Sequence, residues 1–253
     1  MRFIRRLLGP KKKNEARKRV VDVERIDRYV RHAEGKDAYL SAYFEAMRNT
    51  GSNDNIFKQN RFFTLYQMAS RVLAQGPAGD VAECGCWRGH STYMVANLLK
   101  AGGWPGHFWV FDSFEGGLSD KTPKDRTGRG DTSPEATRNQ KESFFSDYDA
   151  VKASLAPFPF VSLHKGWIPA SFDVPGLAES RFALVHIDVD LYEPTRDSLE
   201  FFYPRMNPGG IIVIDDYGSA LFPGSKTAVD EYLAKAKPAF FLESHLMGAV
   251  IVV

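Results

Sequence analysis

Cysteine is scarce in this chain, with only Cys84 and Cys86 among 253 residues. The two stand two apart in a stretch that reads as a strand, where both side chains point to one face and no unstrained disulfide closes. They read as packed thiols in a reducing compartment, which places the chain in the cytoplasm. Long apolar runs are also missing: nothing approaches the roughly 20 residues that span a bilayer. The amino terminus is basic but offers only Phe3-Ile4 and Leu7-Leu8 among arginines. It therefore lacks the apolar core, about 7–15 residues long, of a secretory signal.

An excess of one charge is absent too, since 33 Lys and Arg stand against 31 Asp and Glu for a formal net charge of +2. The balance conceals a division. Residues 1–19 carry nine basic side chains and Glu15 alone, a net of +8, which leaves a net of −6 on 20–253. An acidic body offers no broad basic face to nucleic acid, so no nucleic-acid partner is expected. The arm at 1–19 permits two readings. It is either a solvated tail or, with Phe3, Ile4, Leu7 and Leu8 at helical spacing, a segment lying peripherally on the anionic inner membrane surface.

After the arm, Val20, Val23, Ile26, Val30 and Ala33 recur at helical spacing, and Tyr39, Leu40, Tyr43, Phe44 and Met47 do so again beyond Gly35. A polar loop at 49–55 precedes a third helix, from about Asn60 to Gln75, that ends at Gly76-Pro77. This divides the chain into an arm (1–19), a helical extension (20–76) and a main domain (77–253). The apolar stripes of the extension suggest a homodimer. From Asp80 the texture changes to short apolar runs at Asp80–Cys84, Phe108–Phe111, Phe160–His164, Ala183–Asp188 and Gly210–Ile214, with helical patterns between most of them. Runs of this kind predict a doubly wound α/β domain with a parallel sheet, closed by an antiparallel hairpin at Ala239–Glu243 and Ala249–Val253.

Ligands of such sheets sit at the carboxyl ends of the strands, and here those ends are polar. The first reads Glu83-Cys84-Gly85-Cys86-Trp87-Arg88-Gly89-His90-Ser91. It has no GxGxxG spacing for a pyrophosphate; its two glycines, four apart behind an acidic residue, suit a bulky cationic or zwitterionic ligand. The second strand ends in Phe111-Asp112-Ser113-Phe114, where one carboxylate can accept both hydroxyls of a ribose. Together they point to a nucleoside.

Glu83-Cys-Gly-Cys-Trp-Arg-Gly, Phe111-Asp-Ser-Phe-Glu-Gly, Gly166-Trp167, His186-Ile-Asp-Val-Asp-Leu-Tyr and Ile214-Asp-Asp-Tyr-Gly resemble, in order, the motifs of the macrocin-type sugar O-methyltransferases. The likeness runs from about Arg61 to Glu231 and is more distant to catechol O-methyltransferase. The resemblance implies a class I methyltransferase fold with a seven-stranded, Rossmann-like sheet. It also implies S-adenosylmethionine as cofactor, Mg²⁺ as metal and a hydroxyl acceptor. Carried over residue by residue, Glu83, Gly85, Gly89 and Ser91 lie along the methionine and ribose, and Trp87 covers part of the pocket. Asp112 holds the ribose hydroxyls, Ser113 and Trp167 border the adenine, and Asp188 is counted with the cofactor ligands.

Asp188 and Asp190 close one strand, and Asp215 and Asp216 the next. Four carboxylates so near one another repel unless a cation neutralises them, and all-oxygen ligation favours a hard ion such as Mg²⁺. Asp188, Asp215 and Asp216 are the expected metal ligands. Asp190 is the expected general base, Asp188 or His186 being next in line, although His186 itself reads as a packed strand histidine. The expected reaction is methylation of a sugar hydroxyl on a lipid-linked glycan precursor or a glycosylated natural product. A phenolic acceptor and a non-catalytic binding subunit are the alternatives. The long polar segment at 116–147 reads as a lid or as plain disorder. Tyr217, Phe222 and Lys226 are expected to line the acceptor pocket.

Overall fold

A computed structural model describes residues 37–126, 134–245 and 247–253. The basic arm and the amphipathic pattern at 20–33 lie outside the described residues. Helix α1 (Ala38–Thr50) starts where the Asp37 carboxylate accepts from Leu40 N, and ends at Gly51 in the left-handed region. Helix α2 (Ile56–Gln75) starts four residues before the expected Asn60, because the Asn55 side chain accepts from Lys58 N and caps the helix there. Its first turn carries the exposed Ile56 and Phe57, which breaks the apolar stripe that marks the rest of the helix.

The sheet contains β1 (Asp80–Cys84), β2 (Phe108–Asp112), β3 (Val161–Lys165), β4 (Phe182–Ile187), β5 (Met206–Ile214), β6 (Phe240–Glu243) and β7 (Ala249–Val252). All seven lie within a residue or two of the expected runs except β5, which begins four residues early. Their spatial order is β3-β2-β1-β4-β5-β7-β6. Neighbours from β3 to β5 run parallel, while β7 is antiparallel to both β5 and β6. The chain winds outward from β1 to β3 and then crosses back to β4, so the switch point, where such sheets open a crevice, lies between β1 and β4.

Side chains alternate between two apolar layers. Val81, Leu184, Ile211 and Val213 face a core shared with α1, α2 and α3 (His90–Ala101). Ala82, Val185, Ile212 and Ile214 face a second core shared with α6 (Tyr192–Phe202) and α7 (Pro223–Leu233). Two shorter helices intervene, α4 (Pro134–Ser143) and α5 (Tyr148–Ser154). The segment at 116–147 is thus not a continuous loop: it holds α4 and a 3-10 turn at Pro123–Asp125. The helix carries Glu135, Arg138, Lys141 and Glu142 with no apolar period, so hydrophobic patterning alone conceals it.

Cys84 and Cys86 are both buried and free, as expected. They do not share a face, however. Cys84 belongs to the second core and Cys86 to the first, because Gly85, at φ 84°, ends the strand's alternation between them.

Consecutive strand ends are tied by single backbone bonds. Gly85 N donates to Phe111 O, Asp188 N to Cys84 O, Asp215 N to Ile187 O and Gly166 N to Asp112 O, all at 2.8–2.9 Å. A Cβ on Gly85 would lie 1.8 Å from the Asp188 carbonyl oxygen. Gly85→Ala therefore forces β1 and β4 apart at the switch point. The expected outcome is a lower melting temperature together with loss of nucleoside binding, checked by thermal scanning and calorimetric titration.

Candidate active site

A cavity of about 380 Å³ opens over the ends of β1, β2 and β4. Gly85, Trp87, Ser91, Asp112, Ser113, Trp167, Asp188, Asp190 and Asp216, all expected site residues, line it. Three turns in its wall hold non-glycine residues in the left-handed region, Trp87 at φ 47°, Phe114 at 52° and Asp190 at 61°. Such strain persists where the surroundings over-determine the turn, as they do around a built site.

Asp112 shows how one of these turns is held. Its Oδ2 accepts from Cys86 N at 2.9 Å and Trp87 N at 2.8 Å, and its Oδ1 accepts from Phe114 N at 3.0 Å. Burial raises the Asp112 carboxyl above its ordinary value, and these three amides oppose that rise. The carboxylate thus fixes the Gly85–Gly89 turn from the neighbouring strand end while lining the cavity. Trp167 Nε1 donates to Glu115 Oε2 at 2.9 Å.

Glu83 and Gly89 stand behind the wall and do not line the cavity. Glu83 is 1% exposed on the α2–α3 side of β1. One of its oxygens accepts from Thr92 Oγ1 and the other from His186 Nδ1 at 2.9 Å, so the carboxylate serves the frame of the site. Gly89 is the N-cap of α3 and packs against Val151.

His186 is the strand histidine that the sequence suggests, buried and in register with Glu83, but it is also an electrostatic hinge. Its Nε2 lies 3.7 Å from Asp215 Oδ1, too long for a hydrogen bond, so Asp215 acts on it through space. Burial alone would lower the imidazolium; Asp215 and Glu83 overcome it and raise His186 to about 10. On its other side Asp215 comes within 2.6 Å of Arg61 Nε, in contact though not aligned as a hydrogen bond. Despite complete burial, Arg61 and His186 hold the Asp215 carboxyl below its usual value.

The other three aspartates behave in the opposite way. Burial, reinforced by Asp215, pushes Asp188 well up and Asp190 to about 7, and burial with Asp190 pushes Asp216 well up. Arg61 opposes the rise at all three and His186 at Asp188, without cancelling it, so the set would accept a further cation. Ligand atoms of Asp188, Asp215 and His186 fall within 4.8 Å of one another. The Asp188 and Asp215 carboxylate oxygens in this group are donors of the kind that suit a hard divalent ion. Asp216 Oδ2 also accepts from Asp190 N at 3.1 Å, which ties the aspartate pair after β5 to the turn that carries Asp190.

Arg61 and Lys58 escaped the reading of sequence. Both line the cavity from α2. Their signal is two cations three residues apart on the face that continues as Phe62, Leu65, Ala69 and Val72. Of the acceptor residues expected after β5, Phe222 lines the cavity and lies 6.4 Å from Phe144 ring to ring. Tyr217 is buried away from it, donating to Asp230 and accepting from Lys226 Nζ on α7. Gly117, Leu118, Ser119 and Ser143 of the 116–147 segment also reach the cavity.

Comparison with known proteins decides the family: macrocin-O-methyltransferase (TylF) matches residues 11–239. The chain belongs to that family. This O-methyltransferase is 31% identical over 176 residues to the 8-demethyl-8-(2,3-dimethoxy-alpha-L-rhamnosyl)-tetracenomycin-C 4'-O-methyltransferase of Streptomyces olivaceus, a match covering 68% of this chain and 64% of that protein. It is 28% identical to demethyldecarbamoylnovobiocin O-methyltransferase of Streptomyces niveus, covering 81% and 79% of the two chains. Among solved structures it resembles the O-methyltransferase NovP, with a TM-score of 0.64 at 26% identity, over 81% of this chain and 86% of that one. Methyl transfer in the family uses S-adenosylmethionine, and the O-methyltransferase TomG of Streptomyces achromogenes, solved with SAM, shares the fold (TM-score 0.52, 15% identity, 92% and 98% covered).

In this O-methyltransferase the buried charges make a pH prediction. A group whose folded pKa is raised contributes stability below its unfolded value and loses that contribution as pH rises through the folded one. His186 is raised from 6.5 to about 10, and Asp188, Asp190 and Asp216 are raised as well, so all four act in one direction. In EDTA the urea midpoint falls as pH is taken from 6.5 to about 8, below the range in which Lys58, lowered to about 8, acts the other way, and His186→Gln flattens that fall. A wild-type midpoint that rises over this interval contradicts the assignment.

Proposed function

We propose that this enzyme methylates a sugar hydroxyl on a glycosylated natural product or glycan precursor, assisted by Mg²⁺. The observation that carries the reading is one cavity with two chemically distinct ends: Asp112 and Ser113 at the β2 end, and Asp188, Asp190 and Asp216 over β4 and β5. S-adenosylmethionine, when bound, supplies an electrophilic methyl on a sulfonium. Asp112 faces the ribose from the end of β2, with Ser113 and Trp167 beside the base. Gly85 lets the backbone approach the ligand where any side chain would strike Asp188.

Asp188, Asp215 and Asp216 are the oxygen donors that would hold Mg²⁺, which lowers the pKa of a bound hydroxyl and fixes its orientation. Asp190 takes the hydroxyl proton, its carboxyl pushed up to about 7 by burial and by Asp215. Glu83 and Arg61 hold His186 and Asp215 so that the donor set keeps its spacing. Phe144 and Phe222 form the apolar wall for the acceptor's remaining body.

Sugar acceptors are supported by relatives named for rhamnosyl-tetracenomycin and mycinamicin, the latter the mycinamicin III 3''-O-methyltransferase of Micromonospora griseorubida, 29% identical over 200 residues. Buried free thiols suit a reducing cytoplasm, the exposed Ile56, Phe57 and Phe63 on α2 suit a homodimer, and the +8 arm suits an anionic membrane surface.

A labelled-methyl assay against glycosides, nucleotide sugars and catechols tests the reading. The expected result is Mg²⁺-dependent labelling of a sugar hydroxyl, lost in EDTA and in Asp215→Asn. Asp190→Asn is expected to lower turnover by roughly 10²–10⁴-fold. Labelling of catechols with none of sugars would replace it with the phenolic reading.

A further inference from the structure

Asp125 is a buried carboxylate that does not line the cavity. It is 3% exposed and closes the 3-10 turn at Pro123–Asp125. Its Oδ2 accepts from Thr122 N at 2.8 Å and from Thr122 Oγ1 at 2.7 Å, which ties the turn to itself. Its Oδ1 reaches much further, accepting at 2.7 Å from Tyr192 N, 67 residues along the chain. That amide is the first of α6, a helix whose N-cap residue, Leu191, makes no side-chain hydrogen bond and whose Pro194 brings no N–H to the first turn. Asp125 is therefore the cap of α6, supplied from a distant segment, with its charge at the positive end of the helix dipole.

The backbone that this cap holds is the turn just before the helix. Asp190, two residues ahead of Tyr192, stands at φ 61°, which a residue other than glycine keeps only where its surroundings compel it. On one side Asp216 Oδ2 accepts from Asp190 N at 3.1 Å, and on the other Asp125 holds Tyr192 N. The space for this approach is left by Gly224 in the first turn of α7, where a Cβ would lie 1.8 Å from Asp125 Oδ1 and 2.8 Å from Tyr192 N. An outer ion pair, Lys124 Nζ to Glu231 at 2.7 Å, crosses the same corner but is exposed, and such pairs add little. The segment that carries Asp125 leaves β2 at Asp112 and lines the cavity with Gly117, Leu118 and Ser119 on its way. One end of it thus lies at the ribose side and the other is fastened behind Asp190.

We infer that Asp125 is a positioning residue for the methyl transfer: by capping α6 it fixes the Asp190 turn against the segment that leaves β2, so that the proton acceptor and the cavity wall keep one spacing. The inference rests on the reading of Asp190 as the general base.

Hydrogen exchange reads the hold directly. Asp125→Ala is expected to speed exchange over 188–193 and leave the central strands unchanged. Turnover is then measured on the sugar acceptor that the labelled-methyl assay labels best. Asp125→Ala lowers kcat by roughly 10- to 100-fold, the loss that about an ångström of misplacement brings, with KM for S-adenosylmethionine unchanged. Asp125→Asn, which still offers an oxygen to Tyr192 N, retains most of the turnover. In an Asp190→Asn background Asp125→Ala lowers kcat no further, because the group it positions is gone. Gly224→Ala, which displaces the carboxylate from the other side, reproduces the loss, and Lys124→Met on the exposed pair does not. Unchanged exchange at 188–193, unchanged kcat in both Asp125→Ala and Gly224→Ala, or an equal fold-loss from Asp125→Ala in both backgrounds overturns the inference. Wild-type turnover in Asp190→Asn removes the base reading and the inference with it, a result distinct from a failure at Asp125 alone.

Discussion

The line of alternating charge formed by Glu83, His186, Asp215 and Arg61 is the constraint on which the rest of the site depends. Glu83, His186 and Asp215 are buried and Arg61 is half-buried, and each is tolerable only because its neighbours carry the opposite sign. Register brings them together: Glu83 pairs with His186 across β1 and β4, and Asp215 follows the strand residue that alternation turns to the other face. The line runs beneath the cavity floor on the α2–α3 side of the sheet. It neutralises itself, so the surplus negative charge of the site rests on Asp188, Asp190 and Asp216. Those are the groups whose carboxyls burial pushes upward, and they are where a cation is wanted.

The cavity has carboxylates at both ends, Asp112 on one side and Asp188, Asp190 and Asp216 on the other, while Lys58 and Arg61 enter from α2. A ligand that is positive at its centre fits this lining better than a dinucleotide, whose phosphates the aspartates would repel. The strand ends set the spacing between the two sides, since four single backbone bonds stitch them in series.

The sheet was legible in the chain because each strand is short, apolar on both faces and closed by a polar residue, as Phe182–Ile187 followed by Asp188 illustrates. The acidic strand ends were legible for the same reason. Helix α4 was not, since an exposed helix of charged residues carries no apolar period. The direction of Cys86 was not either, because it turns on the backbone sign of one glycine. Glu83 was placed with the cofactor on its motif position, but only three-dimensional pairing shows that both of its oxygens are engaged by Thr92 and His186. Lys58 and Arg61 lie some 20 to 30 residues before the first strand end, in a helix whose apolar residues make it look like ordinary core. Their role arises from α2 lying over the end of the sheet, a fact of packing that no local pattern carries.

The close approach of Gly85 to the Asp188 carbonyl binds two parts of the enzyme into one heritable unit. The turn after β1 and the turn that carries the carboxylates touch backbone to backbone, so neither can be lengthened or enlarged without moving the other. The surfaces at 117–119 and at Phe222 touch the cavity without such a backbone lock. Change of acceptor can therefore proceed by substitution in those outer walls, and a graft of the catalytic chemistry onto another sheet would have to carry the Gly85 and Asp188 turns together.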